Sequence, residues 1–372
     1  MSALRKNSPS AKLATTLFFL LIIFGLVMLA SAGVVEGQKR FGSSSYYLTH
    51  QILFGVLPGL LIFYFFSKIE YERWRKFALP LLLLAILLLI AVFVPPFGVS
   101  VRGAQRWLDL KIATVQPAEF LKFSLIIYLA AWFARHRTGG SANSHGGASF
   151  FAVIPFFLVL GCVALLLVLQ PDFGTLGIVI LISLAMYFFS GASFKHIALL
   201  ILVALVMLGG LAVAAPYRFD RVKTFLDPQS DKQGSSYHVN QAKIAIGSGG
   251  IFGMGYGRSK QKFGFLPEPV GDSIFAVTVE ELGLIGGVAL LALYLVFLLA
   301  MLKVAAQAPD LLGRLLVLGV TAWIGGQAFI NIAAIGGLIP LTGVPLPLIS
   351  YGSSSLISLM AAMGVARSVA RN

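Results

Sequence analysis

Of 372 residues, 58% are hydrophobic and only 11% are charged, and the mean hydropathy is +0.91. A soluble core of this size could not hide that much apolar surface, so a water-soluble globular enzyme is excluded and a polytopic membrane protein is expected. The formal net charge of +14 suits a membrane surface facing anionic lipids, and it gives no reason to invoke nucleic acid.

Apolar runs of at least about 17 residues can cross the hydrocarbon as helices. They recur at 14–32, 47–66, 76–94, 117–134, 150–169, 174–190, 195–215, 274–302, 312–336 and 346–366. The expected fold is therefore all-α: a polytopic membrane protein of about ten transmembrane helices, a single integral domain over 1–372. One long extracytoplasmic loop, 216–272, precedes the eighth helix. The basic tail before the first run resembles a signal peptide, with Ala30-Ser31-Ala32 as a cleavage-like site, but nine further spans favour a retained anchor. With both termini in the cytoplasm, fourteen Lys and Arg fall on cytoplasmic segments against five in the short external loops (Lys39, Arg40, Arg102, Arg106, Lys111), which favours that orientation. Cys162 is the only cysteine and the five histidines are scattered, so neither a disulfide framework nor a zinc site is expected.

In chain order, Gly55 and Gly59 form a G-x-x-x-G around Pro58 to which no specific role is given, and Trp74 is expected to anchor at the headgroups. Residues 101–122 alternate cations with apolar residues, as a segment lying on the membrane surface would. Pro117 can open the fourth span. Glu119 and Lys122, three apart, then share a helical face inside the hydrocarbon's edge, either as a structural ion pair or as the lining of a substrate cavity. Gln170-Pro171-Asp172-Phe173 splits the fifth and sixth runs as a hairpin or a kink, and Asp172 is a cap or a ligand contact.

Residues 216–283 hold eight of the 28 Lys and Arg and seven of the 14 Asp and Glu. Charge at a bilayer is costly and tends to stay where it is used. Within this stretch Val239, Ala242 and Ile246 make the apolar stripe of an interfacial helix over 235–247, followed by six glycines between 247 and 257. Those glycines match neither a dinucleotide fingerprint nor a P-loop and are read as backbone turns. Lys243, Arg258, Lys260 and Lys262 could meet an anionic headgroup or a diphosphate. Asp272 stands just before the eighth span, where partial desolvation favours a general base, and Glu280 and Glu281 cannot both be cheaply buried, so at least one is expected to face a polar cavity or a cationic partner.

The motifs GAQRWLDL (103–110), QPAEFLK (116–122), QPDFGT (170–175), FLDPQSD (225–231), YHVNQAKIAIGSGGIFGMGYG (237–257), FLPE (265–268), GDSIFAVTVEELG (271–283) and GVPLPLISYGSSS (343–355) resemble the SEDS family of FtsW and RodA proteins over almost the whole chain. The resemblance implies a peptidoglycan glycosyltransferase that polymerises lipid II on the outer face of the bacterial cytoplasmic membrane. It implies a class B penicillin-binding protein as partner, among other divisome or elongasome membrane proteins. It places the family's essential aspartate on Asp272, although the usual His-Thr-Asp-Phe is here Val270-Gly271-Asp272-Ser273. The family's Gln-Pro-Ser-Glu and Ser-Tyr-Gly-Gly-Ser stand as Gln116-Pro117-Ala118-Glu119 and Ser350-Tyr351-Gly352-Ser353-Ser354. YRFDRV and SKQKFGFLPEP are closer to FtsW, the division member, than to RodA.

The chemistry so implied asks for one base and for positive charge at the leaving diphosphate. Asp272 is the expected base; Lys243, Arg218 and Arg221 are expected to hold the diphosphate, with a divalent cation such as magnesium as the alternative; Glu119, Lys122, Asp172, Ser350 and Tyr351 complete the expected substrate-binding set. An RodA-like elongation polymerase, a lipid II flippase and a non-enzymatic scaffold of the division machinery are the other readings of the same residues.

Overall fold

The computed structural model describes residues 8–95, 97–101, 104–109, 111, 114–138, 150–191 and 235–371. Ser8 accepts the Ala11 N–H and Pro9 takes the first helical position, opening α1 (Pro9–Phe41), which ends on Gly42 in the left-handed region. α2 (Tyr46–Lys68) carries a π turn over Ile52–Val56 and returns beside it, and α3 (Tyr71–Ala91) follows after a two-residue turn. Next come β1 (Gly98–Val101), β2 (Ala104–Asp109), β3 (Thr114–Val115), α4 (Pro117–Thr138), α5 (Phe150–Leu169), α6 (Phe173–Phe189), α7 (Ser235–Ser248), α8 (Ile274–Ala306), α9 (Leu311–Ile335) and α10 (Ser353–Arg371).

Among the described residues, α1, α2, α3, α4, α8, α9 and α10 are long and apolar enough to cross a membrane, and α5 and α6 are shorter apolar helices. The protein is an all-α polytopic membrane protein, and the expected span at 195–215 lies outside the described residues. α4, α9 and α10 are mostly buried, whereas α2 and α3 turn most of their apolar surface outward, as lipid-facing helices do. The G-x-x-x-G of α2 has a packing role after all. Gly59 lies under Met360 of α10 and Gly55 beside Leu356 and Ser353, so the absent Cβ atoms let the two helices approach closely.

Two expectations are corrected, and a third segment gains its form. The segment before α4 is an antiparallel three-strand meander in the order β1-β2-β3, with Val99 opposite Trp107 and Leu108 opposite Val115, so its backbone bonds are satisfied by strand pairing. Trp74 does not reach the headgroups. It is buried against Phe66, Phe77 and Phe123. The last span begins at Ser353, because Pro345 and Pro347 keep 340–352 out of helix although its letters are as apolar as a span's. Between α5 and α6 the break is a turn between two helices, not a kink within one.

Candidate active site

Asp272 is presented at the start of α8 by a backbone held from three sides. Asn331 Nδ2 of α9 donates to the Asp272 carbonyl at 2.8 Å, Ser350 Oγ donates to the Gly271 carbonyl at 2.6 Å, and the Tyr351 N–H donates to the Val270 carbonyl at 2.9 Å. Its carboxylate is 11% exposed, with His238 Nε2 of α7 3.8 Å from Oδ1. On the other side a Cβ added to Gly343 would lie 3.9 Å from Oδ2, so the missing side chain leaves room there. At the helix N-terminus the carboxylate faces the positive end of the helix dipole.

The buried pair of Glu119 and Lys122 belongs to the same polar network. Lys122 Nζ lies 2.7 Å from Glu119 Oε1 and donates to Gln327 Oε1 at 2.9 Å, beneath the ring of Trp323. Trp323 Nε1 donates to the same oxygen, and Gln327 Nε2 donates to the Pro345 carbonyl. One turn later on α9, Asn331 Nδ2 donates to the Val344 carbonyl as well as to Asp272. Two amides four residues apart thus tie the ion pair in α4, the segment 343–350 and the backbone of Asp272 into one unit. Neither charge of the pair reaches solvent in this arrangement.

Asp172 caps α6: Oδ1 accepts the Thr175 N–H at 3.2 Å and Oδ2 accepts its hydroxyl at 2.9 Å. Arg106 of β2 donates to the carbonyls of Gln170 and Pro171, and Gly174 packs on Thr342 and Val344, so this turn supports the floor beside Gly343. Ser350 and Tyr351 act through the backbone bonds given above. The Tyr351 hydroxyl also lies 3.0 Å from His50 Nδ1, and burial, reinforced by Tyr46 and Tyr47, pushes its pKa above the ordinary value, so it stays protonated. Lys243 is exposed on α7 and lies across Gly337, just past the end of α9. Arg218 and Arg221 lie outside the described residues. Among the described residues, no three His, Cys, Asp or Glu side chains gather to hold a metal ion.

α7 forms over the expected residues, but its buried face is rotated from the predicted stripe. His238, Ala242, Ala245 and Gly249 are buried, with Val239 and Ile246 half-buried at the flanks. After it the chain threads into a break in α8 at Gly283, whose φ is 70°. Met254 and Gly255 N–H groups donate to the carbonyls of Glu280 and Glu281, and Leu284 N–H donates back to Gly250. The two glutamates, fully buried, grip the following loop. Glu280 accepts Ser259 Oγ and the N–H groups of Lys260 and Gln261; Glu281 accepts Ser31 Oγ of α1, Gly257 N–H and Lys262 Nζ at 2.8 Å. Of the loop cations considered for an anionic ligand, Lys262 is therefore committed to a buried ion pair.

Residues 11–372 match the family model described as a cell cycle protein, which covers FtsW, RodA and SpoVE. The chain belongs to this SEDS family. It is 36% identical to stage V sporulation protein E of Bacillus subtilis over 99% of this chain and 98% of that one. It is 40% identical to a probable peptidoglycan glycosyltransferase FtsW of Thioalkalivibrio sulfidiphilus, over 93% and 85% respectively. Among solved structures, it superposes on a chain of a peptidoglycan synthase complex that coordinates polymerization and crosslinking with a TM-score of 0.77, at 29% identity and 96% coverage of both chains. The RodA rod shape determining protein of Thermus thermophilus gives 0.69 at 28% identity, over 96% of this chain and 95% of that one.

Within the SEDS frame, sequence reasoning named Asp272 and the Glu119–Lys122 pair but missed His238, Gln327 and Asn331. The signal for the two amides was available: Gln327 and Asn331 are polar groups four residues apart in an apolar span, where each needs a partner.

Proposed function

We propose that this protein is a peptidoglycan glycosyltransferase that polymerises lipid II at the outer face of the bacterial cytoplasmic membrane, with Asp272 as its general base. The observation that carries this is the presentation of Asp272: a largely buried carboxylate at a helix N-terminus, its backbone fixed by Asn331, Ser350 and Tyr351, with Gly343, which has no side chain, beside Oδ2. Such rigidity is what general-base catalysis requires, because a base must stay within hydrogen-bond reach of the proton it takes.

In the reaction, Asp272 takes the proton of a sugar 4-hydroxyl while that oxygen bonds to the anomeric carbon of a second, lipid-linked sugar. The bond from that carbon to the diphosphate oxygen breaks, and undecaprenyl diphosphate leaves with the electron pair. A single inverting displacement needs no carboxylate nucleophile. Lys243, Arg218 and Arg221 are assigned to the charge of the diphosphate, and the Glu119–Lys122 unit to holding the cavity floor. The names of the FtsW relatives support a role in cell division, and the synthase-complex neighbour supports a class B penicillin-binding protein as partner.

The test is polymer formation by the purified chain and its partner synthase from labelled lipid II. Asp272→Asn is expected to lower the rate by about 100-fold or more while the protein unfolds at the wild-type temperature. Wild-type polymer from the folded variant would refute the assignment.

A further inference from the structure

We propose that His238 is a positioning residue for Asp272, restraining the carboxylate through Oδ1 so that Oδ2 faces the reacting hydroxyl. This rests on the reading of Asp272 as the base. The backbone of Asp272 is already fixed by Asn331 and by its neighbours' bonds, so whatever orients the carboxylate acts on its side-chain torsions. The last of these, between an sp³ and an sp² carbon, is broad and two-fold, which lets the two oxygens exchange unless something distinguishes them.

His238 distinguishes them. Its Nε2 lies 3.8 Å from Oδ1, beyond a hydrogen bond, so a ring that carries its proton on Nε2 presents positive charge to that oxygen, while Oδ2 lies on the side of Gly343. The ring is itself fixed, since the same Nε2 is 2.6 Å from Ser273 Oγ. His238 and Ser273 are both buried. α7, which carries His238, is pressed onto α8 through Ala242, Ala245 and Gly249; a Cβ on Gly249 would overlap the Val279 carbonyl.

The capping of α8 bears on the same contact. Ser273 is the N-cap residue of α8, a position where a serine side chain ordinarily accepts a backbone N–H, yet it makes no such bond. Its hydroxyl goes to His238 instead, forgoing the capping bond. A serine serving only the helix would not be turned this way.

The test measures initial polymerisation rates against lipid II concentration for the full chain with its partner synthase. His238→Phe keeps a ring without Nε2, and His238→Gln restores a polar group at similar reach. His238→Phe is expected to lower kcat about 10- to 100-fold with KM within about twofold, because misplacing a catalytic group costs rate more than binding. His238→Gln is expected to recover kcat to within about fivefold of wild type, as a conservative replacement for a positioning contact should.

A folded His238→Phe with wild-type kcat, a loss confined to KM, or a His238→Gln no better than His238→Phe would each overturn the proposal. Should His238→Phe not fold, Ser273→Ala carries the test, and a folded S273A with wild-type kcat overturns it. Asp272→Asn run beside them separates the two claims. A fully active D272N removes the base itself, whereas an inactive D272N with a fully active H238F removes only the role of His238.

Discussion

Lys122 and Glu119 pose a direct question of energetics, because two charges with almost no solvent contact are held in an apolar bundle. Removing one partner of such a pair strands the other, at a cost of about 3–5 kcal/mol, whereas removing both charges together leaves nothing stranded. Lys122→Met is therefore expected to lower the unfolding temperature of the detergent-solubilised protein sharply, and Lys122→Met with Glu119→Gln to recover much of the loss. If the double variant is no more stable than the single, the pair is not the self-contained structural unit that its bonds to Gln327 describe. The spacing of three residues made the pair legible in the sequence. That Gln327 is the pair's partner was not, since no local pattern links two positions 205 residues apart. His238 was hidden for the same reason: its counterparts Asp272 and Ser273 come from another helix, and a lone histidine in a sequence points nowhere.

Helices are the part of this fold that hydropathy reads well, and the break in α8 is what it cannot read. Residues 274–302 form one continuous apolar run, yet at Gly283 the helix opens and the segment 249–257 bonds into the gap. The run of glycines was legible as turns; that they dock against another helix was not, because close approach is a property of two segments. A Cβ on Gly253 would overlap the Glu281 carbonyl and one on Gly283 the Gly253 backbone, and both residues have positive φ. Backbone cannot move aside as a flexible side chain does, so Gly253→Ala and Gly283→Ala are each expected to destabilise by more than about 1 kcal/mol. Gly161→Ala, where nothing lies within 4 Å, is the control. Thermal unfolding with limited proteolysis of the 249–265 loop reads the result, and glycine variants as stable as the control would mean that the loop does not dock in the break. The same docking places α7, and so His238, against Asp272.

Over the whole molecule, the described turns sort into two opposite ends of the bundle. Asp272, the β-meander, the 170–172 turn, residues 42–50 and the 336–352 segment meet at one end, joined by Arg106 to Gln170, Gln116 to Ser354, and Tyr351 to His50. At the other end Ser10 bonds Gln307, and Gly313 at the start of α9 lies beside Tyr71. In the orientation proposed from the charge asymmetry, with both termini in the cytoplasm, the first end faces outside, which is where a site acting on the external sugar of a lipid-linked substrate has to be. Chain polarity alone could not have gathered those turns around Asp272; their contacts do. In a Cys162→Ala background, cysteines at Lys111 and Lys260 are expected to react with a membrane-impermeant thiol reagent applied to intact protoplasts. A cysteine at Glu72, on the opposite end, is expected to react only after the membrane is opened. The reverse pattern would place Asp272 on the cytoplasmic side, where an external polymerase cannot work, and would overturn the orientation together with the function built on it.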